Sequence, residues 1–165
     1  MNLYNTIGIN HAAEKFNTFI GHFTDYEMFK DQSKYSQFVI CPAFMNYNHK
    51  TTKDLKLLVE SDPGMKILYK EKRLFSYDII TPDGFRTDLF QNKNYYPFLF
   101  KYASGVLILQ LAIFFKMDKI FTLGIDGGKE YNEDFILTKG NGNFLDEQLN
   151  LMNKIAEGKI KIIKL

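Results

Sequence analysis

Residues 106–115 read VLILQLAIFF, an apolar run broken only by Gln110. A helix with no polar stripe has to be covered on every side, so this one belongs inside a core. It is too short to cross a bilayer, which takes about 20 residues. Ser104 and Gly105 precede it, and KIFTL at residues 119–123 follows, leading into Gly124, Ile125, Asp126, Gly127 and Gly128. A buried helix feeding a short apolar strand that exits through Gly-x-Asp-Gly-Gly is the signature of an α/β crossover and a mainly parallel sheet.

The rest of the chain fits that class. Residues 6–9 and 18–23 are short apolar, β-branched stretches that exit through Asn10 and His11 and through Thr24 and Asp25, with room between them for two helical turns at 12–17. Residues 37–41 (QFVIC) read as a third strand stopped by Pro42, which cannot donate to a ladder. Thr51 or Thr52 is placed to cap a helix over 53–60 that Asp62, Pro63 and Gly64 close, and 65–69 then reads as a fourth strand. Pro82, Asp83 and Gly84 mark a turn between 77–80 and 85–89. A helix over 145–156, a stop at Gly158 and a strand over 159–164 finish the chain. No repeat or linker divides it, so the expectation is one domain over 1–165.

Charge and cysteine content exclude several classes. Twenty-one basic and 19 acidic side chains leave a formal charge of +2, and they are interleaved, which argues against a nucleic-acid-binding surface. Lys66, Lys70, Lys72 and Arg73, and likewise Lys159, Lys161 and Lys164, are expected on solvated strand faces. Cys41 is the single cysteine, which excludes an internal disulfide and suits a cytoplasmic protein. No segment reads as a signal peptide or a membrane span.

Ligands of open α/β sheets bind outside the carboxyl ends of the strands, so the polar strand exits are the candidate site: Asn10, His11, Asp25, Asp126 and Gly127, with Ser104 and Gly105 at the helix start. If the strands run side by side in one direction, these groups share a rim. Unpaired N–H groups at Ser104 and Gly105 suit a phosphate or carboxylate. The competing reading makes Ser104 a plain helix cap and Gly105 a packing residue. His11, His22 and His49 lack metal-ligand spacing, so no metal site and no cofactor is expected. Cys41 at a strand end is a nucleophile only if a base lies beside it, and the catalytic residues stay unassigned.

The segment SGVLILQLAIFFKMDKIFTLGID (104–126) resembles one shared by the bacterial lipooligosaccharide sialyltransferases and the related 6-hydroxymethylpterin pyrophosphokinase-like domains of surface-glycan proteins. TIGINHAAEKF (6–16), FTDYEMF (23–29) and FVICPAF (38–44) resemble successive strands of the same domains, in the same order. The resemblance implies a Rossmann-like three-layer α/β sandwich in which Asn10 and Asp25 face the nucleotide. Ser104 and Gly105 would contact the donor's carboxylate or phosphate, and Asp126 would lie beside that pocket. It implies a glycosyltransferase domain binding a CMP-sugar donor and a glycan acceptor, with no required metal. Two departures stand out. The family's first strand and Gly-Asn-Gly-Pro-Ser-like phosphate loop have no counterpart, so a truncated fold is expected, and residues 127–165 contain no His for the family's lid. An inactive or partner-dependent domain, with a homodimer or partner chain covering an open sheet edge, is therefore an alternative. A pterin pyrophosphokinase-like enzyme using ATP and Mg²⁺ at Asp25 and Asp126 is another.

Overall fold

The protein is described from a computed structural model, which covers residues 6–9, 12, 16–29, 34, 36–47, 51–80, 98–99, 104–123, 125 and 145–165. The backbone divides into two compact units, Met1–Phe98 and Leu99–Leu165.

The first unit is built on a parallel sheet of four strands: β1 (Ile7–Ile9), β2 (Thr18–His22), β3 (Ser36–Pro42) and β6 (Leu74–Tyr77), adjacent in that order. Between β3 and β6 come an antiparallel pair, β4 (Phe44–Tyr47) and β5 (Thr51–Asp54), and two helices, α1 (Leu55–Ser61) and α2 (Pro63–Lys70). The mainly parallel α/β class expected from the sequence is the one observed.

In register, Gly21, Val39 and Leu74 lie side by side, and this face of the sheet is dry. Val39, Cys41 and Leu74 pack there with Leu55 and Leu58 of α1, Met65 and Leu68 of α2, and Phe23 and Phe29 around the β2 exit. Both the β2-to-β3 and the β3-to-β6 connections thus cover the same face. That is what right-handed crossovers demand when the strand order advances in one direction.

Several sequence expectations need correction. Residues 65–69 are not a strand but the body of α2. Asp62 caps that helix, its Oδ1 accepting from Met65 N at 2.9 Å, and Pro63 occupies the first turn, where its missing N–H costs nothing. Lys66, Lys70 and Lys72 accordingly lie exposed on α2 and the turn after it, not on a strand. The helix expected over 53–60 begins at Leu55, capped by Asp54 rather than by Thr51 or Thr52, which belong to β5. Pro42 ends β3 from within, paired with Tyr77. Of the turn expected over 12–17, the bond from Phe16 N to Ala12 O, 3.1 Å, is described. The expected turn at 82–84 and strand at 85–89 lie outside the described residues.

The second unit has α3 (Ser104–Phe114), β7 (Lys119–Thr122), α4 (Leu145–Ala156) and β8 (Lys161–Lys164), close to the boundaries the sequence suggests. β7 and β8 are parallel, with Ile120 beside Ile162. Val106, Leu109 and Ala112 of α3 meet Met152 and Ala156 of α4 and Ile160, with Ile120 and Ile162 packed against them. Gly105 lies against Gln148 and Met152, and so the first turns of the two helices touch. At the other end Lys161 N bonds Asp118 O (3.0 Å), which brings the start of β8 beside the turn that ends α3. The helices therefore run parallel, with both N-termini at the carboxyl end of β7. The expectation that α3 is covered all round holds for Val106, Leu107 and Leu109, whereas Phe114 is exposed.

Candidate functional site

The sequence places three described candidates in this fold. Asp25 follows β2 in the first unit, half-buried, extended at φ −107° and ψ 131°, and accepts from Thr24 Oγ1 at 3.3 Å. Ser104 and Gly105 open α3 in the second unit and are both buried. Asn10, His11, Asp126 and Gly127 lie outside the described residues.

At the start of α3 the local chemistry is distinct. The first turn of α4 carries Asp146 and Glu147, which complement the partial positive charge of that helix end. The first turn of α3 carries no acid. Over it lies the carboxamide of Gln148: a Cβ added at Gly105 would stand 2.8 Å from Gln148 Oε1 and 3.2 Å from Met152 Sδ. Glycine is thus what lets α4 approach so near, which is the packing reading of Gly105. Gln148 is only 7% exposed. At the carboxyl end of β7, Thr122 is buried on the side facing the helices, shared by alternation with Ile120, and its Oγ1 has no partner among the described residues. An open groove of about 770 Å³, bordered by Asp118, Lys154 and Lys159, lies at the opposite end, beside the strand starts. Ligands of parallel sheets gather at the other end.

The first unit holds a second polar group at strand exits. His22 and Tyr77 lie on the sheet face opposite α1 and α2, and their side chains meet across β3, His22 Nε2 to Tyr77 Oη at 2.6 Å. Burial lowers the His22 pKa from its ordinary 6.5 to about 3, so the ring is neutral at physiological pH. Burial, followed by the nearby Cys41, raises the Tyr77 phenol well above its usual range, so it stays protonated and can donate to Nε2. Cys41 is buried, and its thiol is pushed up by desolvation. A thiol so disfavoured as thiolate is no nucleophile, which closes that option for Cys41.

No family model, no curated protein and no solved structure matches the chain. Among the described residues, no group of His, Cys, Asp and Glu could hold a metal ion, and no helix is long and apolar enough to cross a membrane.

Sequence reading missed Gln148, Thr122 and the His22–Tyr77 bond. Gln148 had a signal: with Met152 and Ile155 it falls on the 3-to-4 spacing of the buried face of α4, where glutamine is out of place. Thr122 and the histidine–tyrosine bond had none, because both depend on which strands are neighbours.

Proposed function

We propose that this chain is a nucleotide-sugar-binding α/β domain of the sialyltransferase-like kind, holding the anionic part of a CMP-sugar donor at the start of α3. The observation that carries the proposal is the buried Ser104–Gly105 opening of a helix whose first turn has no acid of its own. The N–H groups of such a turn have no partner within the helix and face an oxyanion with a favourable dipole. In this reading the same groups stabilise charge that builds on the departing phosphate, a role that needs no metal. The expected setting is surface-glycan assembly on the cytoplasmic side, with a glycan acceptor.

Titration calorimetry of the full chain tests it. Binding of CMP and CMP-sialic acid that persists in EDTA is the expected result. No heat at millimolar ligand overturns the reading. Asp25, a half-buried carboxylate at a strand exit, keeps the pterin pyrophosphokinase-like alternative in view: binding of ATP that requires Mg²⁺, without binding of CMP, would select it.

A further inference from the structure

We propose that Gln148 and Thr122 are ligand-binding groups that read the anionic part of the ligand, an inference that rests on the nucleotide-sugar reading of the α3 start. Two independent observations lead to it. The Gln148 side chain, 7% exposed, lies against Gly105 in the first turn of α3, its Oε1 2.8 Å from where a Cβ of residue 105 would stand. The Thr122 hydroxyl, 8% exposed and without a partner among the described residues, ends β7 on the face that α3 and α4 cover, and a buried hydroxyl without a partner is costly unless something else satisfies it. Parallel packing of α3 and α4 puts both side chains at the end of the layer where the N–H groups of α3 emerge.

The chemistry of the group they would hold follows from its surroundings. The α3 turn, a carboxamide and a hydroxyl supply donors without a formal charge. Asp146 and Glu147, exposed on the neighbouring first turn, disfavour a doubly charged ligand group. The combination fits a singly charged oxyanion, a chemistry that a sugar-acid carboxylate and a phosphodiester share. Gln148 gives the carboxamide N–H₂ to one oxygen, and Thr122 gives its hydroxyl proton.

The test compares Gln148→Leu, Gln148→Glu and Thr122→Val with the unaltered chain, by calorimetry against CMP and CMP-sialic acid and by thermal melting without ligand. Leucine keeps the packing on Gly105 and Met152, and valine keeps the shape of threonine. Q148L and T122V should each weaken CMP-sialic acid about tenfold, the effect of losing one hydrogen bond to a charged group, and Q148E should weaken it further by repulsion. Melting of T122V should stay level or rise, because removing an unsatisfied hydroxyl relieves a cost. Loss confined to CMP-sialic acid assigns the pair to the carboxylate, and equal loss with CMP assigns it to the phosphate. Unchanged affinity in Q148L and T122V overturns the inference while leaving the nucleotide-sugar reading intact. A fall in T122V melting with unchanged affinity makes the hydroxyl structural and overturns its part. Failure of the unaltered chain to bind either ligand overturns the nucleotide-sugar reading, and this inference with it.

Discussion

His22 shows how one side chain can set the acid limit of a fold. Its ring is neutral in the folded protein down to about pH 3, but takes a proton near 6.5 once the chain unfolds. Between these values the unfolded state binds more protons, so stability is fully present above about pH 6.5 and drains as pH falls towards 3. The slope in that window approaches about 1.4 kcal/mol per pH unit from this residue. His22→Gln, which can still meet Tyr77 but does not titrate, is expected to show a shallower loss between pH 7 and 4. Urea unfolding at both pH values checks it, and equal losses in the two proteins would rule out the histidine as the cause. Asp62 works differently: Oδ1 caps α2 through Met65 N while Oδ2 accepts a hydrogen bond from the phenol of Tyr26, so one carboxylate ties the 3₁₀ turn Tyr26–Met28, after β2, to the start of a helix.

Helix ends supply the prediction at the level of elements. α2 and α3 both close in the Schellman arrangement: Arg73 N reaches Leu68 O and Lys72 N reaches Tyr69 O, and Met117 N reaches Ala112 O with Lys116 N to Ile113 O. The left-handed residue in each is a lysine, at φ 57° for Lys72 and 56° for Lys116, whereas Gly158 at φ 67° serves after α4. A side chain is strained there and glycine is not. Lys72→Gly and Lys116→Gly should therefore each stabilise the protein by about 0.5–1 kcal/mol, read from denaturant midpoints at unchanged slope. The same lysines explain part of what the sequence concealed. The end of α4 was legible because Gly158 marks it, but nothing announced a stop at Lys72. The start of α2 was hidden for another reason. Asp62, Pro63 and Gly64 look like the close of the preceding helix, and Asp62 does follow α1 directly while capping α2. Once the start is misplaced, Met65 and Leu68 lose their three-residue spacing and MKILY passes for a strand. The α3–β7 and α4–β8 segments were readable because α3 is a long apolar run feeding an apolar strand and α4 keeps a long apolar spacing closed by Gly158, and Ser104 and Gly105 stood out with them. Gln148 carried a signal only in its place on the buried face of α4, and what it meets there depends on a glycine far away in sequence.

Across the molecule, the strand order decides what kind of site each unit can offer. In the first unit the order β1, β2, β3, β6 advances without a reversal. A crevice of the kind found at a change of winding direction is therefore absent among the described strands of that sheet. Its strand exits hold the satisfied Tyr77 phenol and the half-buried Asp25. In the second unit two helices lie side by side and point the same way. Each end is worth roughly half a charge, and at a usual interaxial spacing of about 9 Å the two like ends repel by about 0.5 kcal/mol at an effective dielectric of 20. Asp146 and Glu147 offset one of them, and nothing in the first turn of α3 offsets the other. The second unit accordingly carries a small electrostatic load that a well-placed singly charged anion would discharge. The protein's melting point should climb with formate, a singly charged oxyanion, more steeply than with chloride at matched ionic strength, a response that leaves a fingerprint of the helix arrangement.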